Sequence, residues 1–75
     1  MLAQTGTENV LVNVGDKIGF RYNTRYVQIT IDSVVGKFMI GRLLTDYIGK
    51  NEEWYAGELK SFSIKAMKKI TKIGK

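Results

Sequence analysis

Residues 17–22 read Lys-Ile-Gly-Phe-Arg-Tyr, with Ile18, Phe20 and Tyr22 at every second position and Lys17, Gly19 and Arg21 between them. The same period resumes after a gap: Val27, Ile29 and Ile31 alternate with Tyr26, Gln28, Thr30 and Asp32. A strand sends successive side chains to opposite faces, so each run predicts a strand with one buried row. Asn23-Thr24 lies between the runs, and a two-residue polar link of this kind predicts a hairpin. Gly15-Asp16 and Gly36-Lys37 supply turns on either side. Upstream, Val10, Val12 and Val14 alternate with Leu11 and Asn13, which predicts an edge strand. Residues 1–9 have no period and read as a flexible start to one domain over 10–75.

The stretch Phe38–Leu44 is apolar at both parities, as in a strand covered on two sides. Its row Phe38, Ile40, Arg42 and Leu44 is expected to face the core. Residues 45–58 read as a long loop or ragged hairpin holding Tyr47, Trp54 and Tyr55. Leu59–Ile64 predicts a strand with Phe62 and Ile64 inward and Ser61 and Ser63 outward. In the closing segment Ile64, Met67, Ile70 and Ile73 recur every third residue. Three residues of an α-helix turn about 300°, so this row would drift around a helix by about 60° per step. One helical turn over 65–69, then a strand through the β-branched Ile70, Thr71 and Ile73, fits better. A cationic helix lying on a membrane fits worse, because the stripe is narrow and has no Trp, Phe or Leu anchor. The expected architecture is mainly β: a small antiparallel barrel of five or six strands with one short helical turn near 65–69.

Composition narrows the chemistry. The 75 residues contain no cysteine and no histidine, which leaves no disulfide, no thiolate metal site and no imidazole base. No run approaches the roughly 18 apolar residues of a membrane span. The N-terminus shows no basic start followed by an apolar stretch, so no signal peptide is expected and a cytoplasmic protein is the default. Carboxylates are present, but no spacing fixes a catalytic pair, and the glycines are scattered one per turn rather than gathered around a phosphate. Neither an enzyme nor a bound cofactor or metal is expected.

Charge is uneven. The net value is +5, and residues 60–75 carry six lysines without an acid, whereas residues 46–58 hold Asp46, Glu52, Glu53 and Glu58 against Lys50 alone. Such a field steers an anionic partner. Parity sharpens this: Arg25 shares the row of Val27, Lys60 that of Phe62, Arg42 that of Ile40, and Tyr22 that of Phe20. A cation has no place unpaired in an apolar core, but at a strand end it projects from the mouth of a barrel. Arg25, Arg42, Lys60 and Tyr22 at one mouth would form an anion site. Arg21, Lys65, Lys68 and Lys69 are further candidates for phosphate contacts. Tyr22, Tyr26, Trp54 and Tyr55 are candidates for stacking on bases; the bland alternative for Trp54 is a plug for one end of the barrel.

These residues resemble a WYL domain, the Sm-like, SH3-like β-barrel often attached to bacterial transcription factors. The resemblance covers 17–73. Ile18, Phe20 and Tyr22 match the opening apolar-x-apolar-x-Tyr strand, and Arg25 follows the turn where members often place an arginine. Phe38, Met39 and Ile40 stand at the Trp-Tyr-Leu triplet. Lys60, Phe62, Ile64 and Met67 match a late Arg-x-Phe-Arg-Leu-Asp-Arg-Ile element, with Ser63 and Ala66 replacing its later arginines, and Ile70 follows. The resemblance implies an SH3-like barrel, a nucleic-acid or nucleotide-like ligand in a cationic groove, and a regulatory output. A freestanding copy suggests an accessory protein of the sort carried by phages or mobile elements.

Two functions therefore stand side by side. One is a nucleic-acid module that binds single-stranded or duplex DNA or RNA. The other is a protein-interaction module, working through exposed sheet edges as a homo-oligomer or on an acidic partner protein.

Overall fold

The computed structural model describes residues 2–5 and 8–74, with side-chain surroundings from residue 12 to residue 74. In chain order the elements are β1 (Leu2–Thr5), β2 (Glu8–Leu11), β3 (Lys17–Tyr22), β4 (Arg25–Val35), β5 (Phe38–Leu43), β6 (Tyr47–Ile48), β7 (Glu53–Trp54), β8 (Leu59–Ser63), a 3-10 turn (Ile64–Ala66) and β9 (Lys68–Gly74). Five of the strands form one antiparallel sheet in the order β8-β5-β4-β3-β9. Within it the last strand lies beside the first, and the 3-10 turn joins the fourth strand to the fifth. This is the small, mainly β, antiparallel arrangement expected from the alternating runs.

Local chemistry explains the connections. Asn23 and Thr24 both take positive φ, 50° and 65°, as a two-residue hairpin turn with the native twist requires. The pairing Tyr22↔Arg25 closes β3 onto β4, and Lys17↔Thr30 is its far end. Gly36, at φ 58°, turns β4 into β5. Register shifts interrupt β4 against β5 between Ile31 and Ser33, and β3 against β9 between Gly19 and Arg21. Such bulges bend and twist a sheet, which lets five strands wrap one core. Inside lie Ile18, Phe20, Val27, Ile29, Ile31, Met39, Leu43, Phe62, Met67 and Ile70, with Val12 and Tyr47 at the ends. Phe62 meets Phe20 and Tyr22 edge to face at 5.1 and 5.0 Å between centroids.

Some expectations are corrected. In β5 the inward residues are Met39, Gly41 and Leu43. Phe38 is 52% exposed, Leu44 and Arg42 are also exposed, and Ile40 is half-buried, so the strand is not covered on both sides. Gly41 is the reason: a Cβ there would overlap Ile29 Cδ1. The bare backbone makes room for Ile29, and counting apolar side chains mistakes this inward position for an outward one. The short helical turn expected near 65–69 is present as the 3-10 turn Ile64–Ala66. Met67 is already extended and fully buried, and it commits the chain to β9. At the start of the chain β1 and β2 pair antiparallel, Leu2↔Leu11 to Thr5↔Glu8; of the start expected to be flexible over 1–9, residues 1, 6 and 7 lie outside the described residues. The strand expected over 10–14 ends at Leu11. Val12 is buried and Val14 is exposed next to the Gly15 turn. The side-chain facing of Val10 and Leu11 lies outside the described residues. Residues 45–58 fold back as the β6–β7 hairpin, Tyr47↔Trp54 and Ile48↔Glu53. Among the described residues no helix is long and apolar enough to cross a membrane.

Candidate functional site

The outward face of β9-β3-β4 carries a cross-strand row. Arg21 is the Cα partner of Lys68 on one side and of Tyr26 on the other. One residue pair along, Gly19 is the partner of both Gln28 and Thr71. Tyr26 leans into the gap that Gly19 leaves: a Cβ on Gly19 would overlap Tyr26 Oη and lie 2.7 Å from its Cζ. The ring thus lies against bare backbone and stays 56% exposed. Glycine in a strand often marks such a close approach.

Beside this row is an open concavity of about 560 Å³ lined by Arg21, Asn23, Thr24, Ala66 and Lys68. None of these is acidic. It lies between the β3–β4 turn and the 3-10 turn, so the positive φ values of Asn23 and Thr24 set one wall and the compact Ile64–Ala66 turn the other. The Arg21 guanidinium reaches back toward the Thr24 carbonyl at 3.5 Å, which aligns it along that wall. Lys65 and Lys69 flank the lining residues in sequence and are exposed. Arg25 is exposed on the far side of the same turn.

The mouth of the barrel is built differently from the expectation. Lys60 does follow the core-facing row of Phe62, and Tyr22 stands close to it. Its ammonium is not offered to solvent, however. It lies 4.8 Å from the Trp54 ring centroid, 5.2 Å from Phe62, 5.7 Å from Tyr47 and 5.9 Å from Tyr22. Glu52 Oε1 is 3.5 Å away; the Lys60 side chain is 10% exposed and the Glu52 side chain 45%. Four rings satisfy the cation with their negative faces, and one half-wet carboxylate completes the shell. The β6–β7 hairpin brings Tyr47, Trp54 and Glu52 to this place. Trp54 packs against the core and its buried Nε1 has no hydrogen-bond partner among the described residues, which fits the plug better than the stacking platform.

The remaining candidates are dispersed. Arg42 points outward from the middle of the sheet and donates to the Gly57 carbonyl at 2.6 Å, so it does not join Arg25 and Lys60 at the mouth. Tyr55 sits among acids. Its hydroxyl donates to Glu53, and its phenol is pushed above its ordinary value first by that bond, then by desolvation and by Asp46 and Glu58. Phosphate would be repelled there. The acidic loop is largely occupied internally: Asp46 accepts from the Ala56 amide and Glu58 from the Tyr55 amide. Sequence reasoning missed Gly19, Asn23, Thr24 and Glu52. A glycine on the outward row of a strand was the one visible signal, while nothing in the local pattern linked Glu52 to Lys60. Among the described residues no group of three or more His, Cys, Asp or Glu could hold a metal ion. No family model, curated protein or solved structure matches this chain.

Proposed function

We propose that the chain is a cytoplasmic nucleic-acid-binding barrel of WYL-like kind, acting by binding rather than catalysis in the regulation of transcription, as a small accessory protein of phage type. The observation that supports it is the acid-free row Lys68–Arg21–Tyr26 beside the Arg21–Lys68 concavity. Guanidinium and ammonium groups meet phosphates, and an exposed aromatic face beside them stacks on an unpaired base. Lys60 and Arg42 drop out of the phosphate set because each is engaged within the chain. Arg21, Arg25, Lys65, Lys68 and Lys69 remain.

About five phosphates neutralised on a single strand release counterions to give a log–log slope of affinity against salt of about −3.5. Fluorescence anisotropy of a labelled single-stranded oligonucleotide between low and high salt measures it. A slope near zero would remove the proposal.

One observation favours the second reading, association with another chain. The edge strand β8 carries exposed Leu59 at one end, and beside its other end, at Ser63, Phe38 and its β4 partner Val35 are also exposed. Edges with uncovered apolar neighbours pair readily. Light scattering separates this from the first reading.

A further inference from the structure

The geometry at the mouth points to a second anion site, centred on Lys60, that shares Arg25 with the phosphate contacts proposed for the outer face. We propose that the mouth takes a phosphate-type anion on Lys60, Arg25 and Lys50, and that Glu52 is its built-in stand-in, closing the site until an anion displaces it.

A buried ammonium needs a counter-charge. In Lys60 the aromatic shell supplies part of that need, but among the described residues the only full negative charge paired with it is Glu52, 3.5 Å away. The two partners differ sharply in exposure: Lys60 is nine-tenths buried, whereas Glu52 is nearly half in water. Such a carboxylate is an exchangeable counterion. It gains little from the pair, because one end is solvated and its own side chain must be held in place. It sits on the lining of an open concavity of about 360 Å³ whose other walls include Asn23, Arg25, Tyr47, Lys50 and Asn51. That volume suits a small ligand. Its rim cations Arg25 and Lys50 have no ion-pair partner within 4 Å among the described residues. An anion entering the concavity therefore meets two rim cations at once; Lys60 does not line the concavity, and its ammonium comes within reach only as the paired Glu52 on that lining moves aside. It brings more charge than the carboxylate it replaces. Asn23, whose Nδ2 is 3.5 Å from Tyr47 Oη, is placed to donate to it as well.

Inorganic phosphate is the probe, titrated at constant ionic strength into the 75-residue chain while the Trp54 indole N–H and the backbone amides are followed by NMR. Glu52→Gln removes the internal competitor and keeps the shape. It is expected to tighten phosphate binding about fivefold, the factor by which a pair of this exposure holds a site closed. Glu53→Gln changes net charge equally, one residue away, and its amide oxygen can still accept from the Tyr55 hydroxyl; it is expected to leave the affinity unchanged. Lys60→Met is expected to abolish the Trp54 response. Equal tightening by Glu52→Gln and Glu53→Gln would reduce the effect to bulk charge and overturn the proposal, as would no change in Glu52→Gln. Both tests remain valid if Lys60→Met folds poorly. Substituting Arg21 and Lys68 is expected to leave phosphate binding at the mouth intact, so failure here and failure of the outer-face interface are read separately.

Discussion

Gly41→Val is expected to lower the melting temperature by about 12–24 °C. The position lies in the middle of the central sheet, partnered by Ile31 in β4 and Lys60 in β8. An added Cβ would overlap Ile29 Cδ1 and lie 2.9 Å from its Cβ and 3.0 Å from its Cγ1. The last two atoms are close to the backbone of a fully buried side chain and have little freedom to move. Valine normally suits a strand better than glycine, and replacing glycine also restricts the unfolded chain, a gain of about 0.4–1 kcal/mol where the fit is good. Overpacking costs about 1–3 kcal/mol and more where the backbone must shift, so the clash wins. A net loss of about 3 kcal/mol in a domain of this size gives the stated fall, at about 4–8 °C per kcal/mol. Thermal unfolding followed by circular dichroism checks it. A valine variant as stable as the parent would show that Ile29 does not fill that space.

Lys60→Ala is expected to cost about 2 kcal/mol, a fall of about 8–16 °C, although a lysine is usually an expendable surface residue. Two effects oppose each other. Removing a buried cation recovers its desolvation cost; it also removes the attraction to four rings and leaves a hole among Tyr22, Tyr47, Trp54 and Phe62. The enclosed geometry places the attraction at the strong end of its range, about 2 kcal/mol or more when water is excluded. Lys60→Met separates the parts, because it keeps the apolar stem and deletes the charge; about half the loss is expected. Glu52→Gln should lose less than about 1 kcal/mol, since its carboxylate is half solvated. A methionine variant more stable than the parent would show that desolvation outweighs the rings.

Much of the fold was legible because the strands that make the core alternate cleanly. Ile18-Phe20 and Val27-Ile29-Ile31 give both faces without ambiguity, and the link between them has the residues its backbone requires. Phe62 was legible from the alternation of its own strand, and Met67 and Ile70 from the three-residue spacing of Ile64, Met67, Ile70 and Ile73, which no helix could bury on one side; Ile64 is only partly buried and Ile73 is exposed. β5 misled because its inward row contains a glycine. Side-chain counting cannot see a position whose use is to be empty. The two-residue strands β6 and β7 leave no periodicity to read. They are held by Tyr47 and Trp54 packing on the core rather than by their own pattern.

The site was only partly legible. Parity correctly placed Lys60 on the core row and Tyr26 outward near Arg21. It could not show that four aromatic residues from separate elements would enclose the Lys60 ammonium, because Tyr22, Tyr47, Trp54 and Phe62 converge only after folding. Nor could it show that Arg42 would be drawn to the Gly57 carbonyl fifteen residues away. The pairing of Arg21 with Lys68 depends on β9 returning beside β3, a long-range contact that local pattern does not encode.

The most direct measurement is the affinity of a labelled single-stranded oligonucleotide for the parent chain, for Arg21→Ala/Lys68→Ala and for the charge-matched control Lys17→Ala/Lys37→Ala, each across a salt series. Loss of two phosphate contacts is expected to move the salt slope of Arg21→Ala/Lys68→Ala from about −3.5 to about −2.1, with roughly a tenfold or greater loss of affinity at low salt, while the control stays close to the parent. Equal losses in the two double variants would contradict an interface on the Lys68–Arg21–Tyr26 row.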